Sequence, residues 1–319
     1  MLPVVPTPRR ELVTAATAVD VDRELRAQRT VALFRGVHVD AGSSSGRVTR
    51  ARAAVATQGG NAIVAMQTAA VLLELPWLPE AWRADSATLH LAVPPTATRR
   101  HRPGLRLHHR SFGPDDVEWL NGVPCMSVTR TLVELARDPS VPPLLVVQVI
   151  DGVLRQKRTS YMALLACLAR FPGERGVARA RRLVERSREG VDSPTETTMR
   201  ILLEDGGISG LDVNIEIRDD DGLLLARGDL GVRCLLIWGE YDGYDSHTEQ
   251  KAFRSDRVGD RWLDRRGWQV MRFVDLDLRR PEQTCREWRQ AIADAPARIA
   301  ALDPTRSPEI AEAHRLLGL

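Results

Sequence analysis

The chain has 319 residues, enough for two or three domains with sizeable cores. Its 45 Lys and Arg against 42 Asp and Glu leave a formal net charge of +3, so bulk charge marks no partner and only its distribution is informative. No stretch offers the roughly eighteen uninterrupted apolar residues of a membrane span, and Met1-Leu2-Pro3-Val4-Val5-Pro6 lacks the charged start and apolar run of a signal peptide. Cys125, Cys167, Cys234 and Cys285 are widely spaced, with no Cys-x-x-Cys pair for zinc. They read as buried, reduced thiols of a cytoplasmic protein that makes no use of a membrane.

Residues 14–28 supply one or two helices capped by Asp20 or Asp22, with Arg23, Arg26 and Arg29 on the outer side. Arg23 and Arg26 there are candidate nucleic-acid contacts. Residues 30–39 read as a strand pair, and the Gly/Ser run within 40–46 as a loop. Residues 47–57 and 62–75 have helical periodicity. A strand over 88–93, a Pro/Gly turn and a strand over 105–110 read as a basic hairpin. Its turn carries Arg99, Arg100, His101 and Arg102, and its second strand carries Arg106, His108, His109 and Arg110. Such clustering fits sequence-independent, salt-sensitive phosphate contacts, and Arg99, Arg100 and Arg102 are the principal candidates. Residues 127–136 form a helix. Arg175, Arg179, Arg181, Arg182, Arg186 and Arg188 stud another, where Glu174, Glu185 and Glu189 can pair with them to give a solvated face.

Asp192-Ser193-Pro194-Thr195-Glu196 reads as a helix start, with Ser193 as N-cap, Pro194 in the first turn and Glu196 closing a capping box. A place beside an acidic site would explain Glu196 equally well. Residues 226–243 read as a strand, a tight turn and a second strand, with Asp229, Glu240 and Asp242 at their ends. The apolar run 232–238 suits a buried central strand. Alternation puts Glu240 and Asp242 on one face, and an antiparallel neighbour brings Asp229 beside them. Three carboxylates at one rim repel each other unless a cation or proton intervenes, and hard oxygen ligands suit Mg²⁺ or Mn²⁺. The same residues also fit solvated strand ends. Asp245-Ser246-His247 opens a helix over 248–265, with His247 and Lys251 on one face. Lys251 stands out because Lys157 is the sole other lysine in an Arg-rich chain. Gly267 ends that helix and 268–274 alternates as a half-buried strand. Beyond Pro296 an amphipathic tail over 299–302 and 310–317 either caps the domain or pairs with a second chain.

Residues 193–278 resemble the restriction-endonuclease-like fold, in particular the branch related to very-short-patch-repair endonucleases. The family pattern is a helix bearing Glu, a strand bearing Asp, a strand ending Glu-x-Asp-Gly, a His/Arg-rich helix and a Gly-Trp-x-Val strand. These fall on Glu196, Asp229, Glu240 with Asp242, His247 onward, and Gly267-Trp268-Gln269-Val270. The resemblance implies an endodeoxyribonuclease using Mg²⁺ or Mn²⁺. Asp229 and Glu240 would ligate the metal, Asp242 would ligate it or orient water, Glu196 would stand alongside, and Lys251 or His247 would stabilise phosphate charge. The wider superfamily places Lys two residues after the second acid, where this chain has Asp242.

Residues 35–136, through Asn121-Gly122-Val123-Pro124 and Thr129-Arg130-Thr131-Leu132, resemble the middle region of AbiEi-type antitoxins and transcription regulators. In that family a winged helix precedes a small α/β module, and here the winged helix is truncated. The expected whole is an α/β protein. It comprises a winged-helix-like segment over 1–45, an AbiEi-like α/β and helical domain over 46–190, a nuclease-like domain with a mixed sheet over 191–295, and a helical tail over 296–319. Two functions stand: a DNA endonuclease, or a DNA-binding regulator or antitoxin with an inactive nuclease-like domain and a cognate toxin. DNA is the partner in both, and a homodimer is open.

Overall fold

The computed structural model describes residues 12–14, 30–34, 37–40, 42, 46–84, 88–98, 102–218, 222, 224–242 and 263–302. The protein is mixed α/β and divides into two compact units, Met1–Glu185 and Arg186–Leu319. Among the described residues no helix is long and apolar enough to cross a membrane.

Unit 1 begins with a three-stranded antiparallel sheet of order β1-β3-β2, built from β1 (Leu12–Thr14), β2 (Thr30–Phe34) and β3 (Val37–Asp40). β2 and β3 are the strand pair expected over 30–39. Val37 and Val39 pack on Ala53 of α1 (Arg47–Ala56). The helices expected over 14–28, with Arg23 and Arg26, lie outside the described residues.

A five-stranded sheet of order β6-β5-β4-β8-β7 forms the core of the unit. Its strands are β4 (Ile63–Val64), β5 (Leu89–Val93), β6 (Leu105–His109), β7 (Val117–Leu120) and β8 (Val123–Met126). α2 (Met66–Leu72) and the single turn α3 (Glu80–Arg83) lie between β4 and β5. Residues 62–75 are therefore not one helix, because the fully buried β-branched Ile63 and Val64 enter the sheet first.

The basic hairpin is also corrected. β5 and β6 are parallel, with Leu89 opposite Leu105 and Val93 opposite His109. A parallel pair needs a crossover connection, which a tight turn cannot supply. Every residue of β5 is buried, whereas β6, at the sheet edge, buries Leu105 and His108 and exposes Arg106.

Four helices complete unit 1: α4 (Val128–Arg137), α5 (Pro143–Arg155), α6 (Tyr161–Ala169) and α7 (Val177–Glu185). Ser127 caps α4, and the Glu118 carboxylate accepts the Val128 N–H at 3.0 Å. All of α4 except Thr129 is buried, including three charged residues. Glu134, with no exposed surface, accepts from Arg110 Nε at 2.6 Å, Arg130 Nη2 at 2.8 Å and Arg137 Nη1 at 3.0 Å. Asp116 accepts both Nη atoms of Arg170 at 2.7 Å, and Arg130 Nη1 lies 3.6 Å from it, joining the two carboxylates into one network. The Phe171 ring lies under the guanidiniums of Arg130, Arg137 and Arg170 at 4.2, 5.1 and 5.4 Å. Glu174, expected to pair within its own helix, instead binds Arg137 Nη2 at 2.5 Å.

Among the described residues unit 2 contains α8 (Pro194–Asp205), β9 (Asp212–Arg218), β10 (Leu224–Val232), β11 (Ile237–Tyr241), β12 (Gln269–Phe273), the short α9 (Asp275–Leu278) and α10 (Pro281–Leu302). The sheet order is β12-β11-β10-β9, antiparallel except for the parallel pair β11 and β12. Met199 and Leu203 of α8 and Trp288 and Ile292 of α10 cover one face, against Leu230, Val232, Ile237 and Phe273. Ile215, Trp238 and Leu263 form a second cluster, where Trp268 meets Trp238 edge-on at 5.8 Å.

Two expectations fail here. The apolar run 232–238 is not one strand: Arg233–Leu235 is a 3₁₀ turn and Leu236 is left-handed at φ 51°. The exposed Arg233 and Cys234 form the outside of that turn while Leu235 and Leu236 stay in the core. Cys234 is accordingly an exposed thiol, unlike the buried Cys125, Cys167 and Cys285. Residues 299–302 are not a separate tail, since α10 runs through Pro296 and buries Ile299 in the core; residues 303–319 lie outside the described set.

Replacing Glu134 by Ala should lower the stability of the protein by about 3–5 kcal/mol, because it takes away the enclosed carboxylate of the buried Arg130 and Arg137 and leaves them only Asp116 at 3.6 Å and the half-exposed Glu174. Urea unfolding measures this. A fall below about 1 kcal/mol would show that the network is dispensable.

Candidate functional site

The carboxylates singled out in the sequence gather around one end of the unit 2 sheet. Ser193 caps α8, its Oγ accepting the Glu196 N–H at 3.2 Å. The Glu196 carboxylate does not close the expected box on Ser193 but accepts the N–H of Asp192, one residue earlier, at 2.8 Å. Glu196 is thus held against the start of its own helix, nearly buried, with an acidic neighbour in Asp192.

Asp229 stands at a break in β10. Ala226 packs on the Trp238 cluster and a Cβ on Gly228 would meet the Trp238 ring at 2.6 Å, so both face that side. Leu230 and Val232 face the α8 and α10 side. Strict alternation would put all four even-numbered residues on one face, so the pleat is interrupted at Asp229. The partner strand is distorted at the matching place without any shift of register. Gly228 pairs with Ile215 and Leu230 with Val213, and between them Asn214 is left-handed at φ 49°. The Asp229 Oδ2 accepts the Tyr241 N–H at 2.7 Å, so a side chain helps to hold the end of β11 to β10.

Burial is the main reason that the Asp229 pKa is raised. The charges of Asp192 and Asp242 add to the rise, and the Tyr241 N–H and Arg227 only partly offset it. The Glu196 pKa is also raised, again chiefly by burial, with Asp229 and Asp192 adding repulsion against the two hydrogen bonds at the helix start. Asp192 was not singled out in the sequence. Its signal was its place immediately before the N-cap, where it accepts Arg227 Nη2 at 2.5 Å and adds charge to the same site.

Glu240 and Asp242 are drawn to another partner. Glu240 Oε1 accepts the Trp238 indole N–H at 2.7 Å, and its Oε2 accepts Arg272 Nε at 3.3 Å. Arg272 Nε is 4.0 Å from Asp242 Oδ2, so one guanidinium on β12 serves both carboxylates. Glu240 lies directly opposite Arg272 in the parallel register of β11 and β12. Among the described residues no group of three or more His, Cys, Asp or Glu is gathered tightly enough to hold a metal ion. Glu240 itself is turned to Trp238 and Arg272. The donors that remain around Asp229 are all carboxylate oxygens in a field of like charge, a set whose chemistry fits a hard divalent cation.

His247 and Lys251 lie outside the described residues, as do Arg99 and Arg100. Arg102 is partly buried and its Nε finds no hydrogen-bond partner among the described residues. The arginine-rich helix is shorter than expected: α7 ends at Glu185, and Arg186 and Arg188 bind Glu204 of α8 at 3.3 and 3.5 Å.

Two uncharacterized proteins of Mycobacterium tuberculosis, from strains CDC 1551 / Oshkosh and ATCC 25618 / H37Rv, are similar to this chain. Each is 25% identical over 224 residues, which is 70% of this chain and 78% of theirs. No protein-family model matches the chain.

The raised Asp229 pKa has a stability consequence of definite sign. A carboxyl that binds its proton more tightly in the folded state favours folding in acid, and that contribution disappears as pH rises from the ordinary carboxylate range through the folded value. Asp229→Asn removes this pH-dependent penalty and keeps an oxygen for the Tyr241 N–H. The variant should melt above wild type at neutral pH and coincide with it in acid, in thermal unfolding measured across pH. A lower neutral melting temperature for the variant would show that the carboxylate is well satisfied as it stands.

Proposed function

We propose that the protein acts on DNA through unit 2 as a restriction-endonuclease-like hydrolase. The supporting observation is Asp229: a partly buried carboxyl where the pleat of the central strand β10 changes face, opposite the left-handed Asn214 of the edge strand β9, with its pKa raised by burial and by surrounding acids. Strained strands and uncompensated carboxylates are costly to maintain and concentrate at functional sites. The order helix, three antiparallel strands and a fourth strand parallel to the third also suits that fold.

On this reading Asp229 holds a divalent cation with help from Glu196 and Asp242, directly or through water. When bound, Mg²⁺ or Mn²⁺ would lower the pKa of an attacking water and neutralise charge on the phosphate. Glu240 is kept in place by the Trp238 indole and becomes available to the site when Arg272 pairs with a phosphate instead. Lys251 and His247 lend positive charge to the scissile phosphate. Arg99, Arg100 and Arg102 contribute sequence-independent grip on the DNA, by their charge and clustering.

Nicking of supercoiled plasmid with Mg²⁺ or Mn²⁺ tests this. Asp229→Ala and Glu240→Ala should each lower the rate at least about a hundredfold while DNA binding persists, and Lys251→Ala should give a smaller reduction. Changing Arg99, Arg100 and Arg102 together to Ala should flatten the salt dependence of DNA binding, by about one unit for each phosphate that is no longer neutralised.

A second reading is favoured by one observation, the Arg272 guanidinium that already serves Glu240 and Asp242. A site neutralised from within needs no metal, and Asp242 stands where the wider superfamily has Lys. The protein would then be a DNA-binding regulator or antitoxin, with a toxin as partner and unit 2 as scaffold. Binding to a defined operator without cleavage under any divalent metal would decide for it.

A further inference from the structure

Unit 1 contains a cleft of about 430 Å³ that the proposed chemistry of unit 2 does not use. One wall is the edge strand β6, where Arg106 and His108, followed by Arg110, line the opening. These alternate with Leu105, Leu107 and His109, so they share one face of the strand. The end of α4 supplies Arg137 and then Asp138, and the loop before α7 supplies Glu174 and Arg175. Four guanidiniums therefore face two carboxylates.

Their engagement is unequal. Arg110 and Arg137 are anchored by Glu134, and Arg137 also by Glu174. Asp138 is turned to Ser140, accepting its N–H at 2.9 Å and its hydroxyl at 2.7 Å. Arg106 and Arg175 are exposed, and among the described residues neither guanidinium makes a hydrogen bond or close ion pair, although the charge of Arg106 reaches Asp138 and helps to lower its pKa. Two anchored cations thus stand beside two uncommitted ones.

We propose that this cleft binds a phosphate group carried by a nucleotide-sized ligand, with Arg106 and Arg175 gripping the phosphate between the anchored Arg110 and Arg137. The ligand is either a free mononucleotide or the terminal nucleotide of a nucleic-acid strand, since both present the same group. A guanidinium offers a planar fork of N–H donors that matches phosphate oxygens. The volume is that of small-molecule sites, roughly 300–1,000 Å³, and exceeds what a bare phosphate fills.

The floor of the cleft reports its positive field. His108 Nε2 lies 3.0 Å from His90 Nδ1, and the rings stack with centroids 5.1 Å apart. Both imidazoles are held to a pKa of about 4, first by burial, then for His90 by His108 and Arg106, and for His108 by Arg110 and Arg106. Asp138 works in the opposite direction on both and is outweighed. The remaining charges of the lining are Arg137, Glu174 and Arg175, a net positive set. A phosphate in the cleft would offset the arginine charge and make His108 easier to protonate.

Isothermal titration at constant ionic strength provides the test, with inorganic phosphate, 5′-AMP, and a short oligonucleotide with and without a 5′ phosphate as probes. Saturable one-to-one binding of 5′-AMP or of the phosphorylated oligonucleotide is expected, and which of them binds identifies the source of the phosphate. Arg106→Ala and Arg175→Ala should each weaken it about tenfold, Arg106→Lys less, and the double variant about a hundredfold. Both side chains are exposed, so the variants should keep the wild-type circular dichroism spectrum. The His108 imidazole resonance should titrate at higher pH in the saturated protein. Asp229→Ala should bind as wild type does, which separates this site from the metal chemistry of unit 2. The proposal is overturned if no probe binds, if the double variant binds like wild type, or if inorganic phosphate binds as tightly as 5′-AMP.

Discussion

A charge taken out of water must be met by other charges or by hydrogen bonds, at a cost of several kcal/mol where it is not. That constraint organises both units of this protein, and the units answer it differently. In unit 1 Glu134 is enclosed and receives three guanidiniums, while Asp116 receives a bidentate one and a backbone N–H. In unit 2 Asp229 and Glu196 are partly enclosed, receive mainly backbone N–H groups, and stand close to further acids. The first arrangement is complete in itself. The second is electrostatically open, which is why function is sought there.

The network around Glu134 also fixes the geometry of unit 1. Through Arg110 it ties the edge strand β6 to α4, and through Arg137 and Glu174 it ties α4 to the loop before α7. Phe171, beneath three guanidiniums, gives those side chains an apolar surface to lie on. An edge strand is otherwise free to pair with another chain. Here it is anchored by side chains, and its basic face is presented to a cleft. The parallel pairing of β5 and β6 sets Arg106 opposite the buried His90 and His108 opposite the buried Ala92, so the basic edge strand lies against a wholly buried neighbour.

In unit 2 the decisive element is glycine beside tryptophan. Without a side chain at Gly228, the ring of Trp238 can lie against β10, and its indole N–H then reaches Glu240. The neighbouring Asp229 sits at the interrupted pleat, opposite the left-handed Asn214. The register of β10 and β9 is unbroken from Ala226 to Gly231, so the change of face at Asp229 re-aims side chains without slipping the pair. Leu230 and Val232 consequently stay in the core beneath α8 and α10.

Much of this was legible in the sequence because it depends on near neighbours. The Ser193 cap, the α4 helix after Ser127, the strands beginning near Leu89 and Gln269, and the acidic ends of β10 and β11 follow from local periodicity and capping chemistry. What the sequence misread depends on residues far apart in the chain. Parallel and antiparallel partners of β5 have the same local pattern, so the sequence reads as a hairpin where pairing in the sheet makes β5 and β6 parallel. The turn inside 232–238 was hidden because Leu235 and Leu236 are buried by α10 even where the chain reverses. The partners of Glu134 and Glu240, namely Arg110 on β6 and Arg272 on β12, are likewise set by strand register and helix packing. The sequence determined which residues carry charge and where helices and strands begin; the tertiary structure decided which of those charges are neutralised, because only packing brings distant side chains into one low-dielectric place.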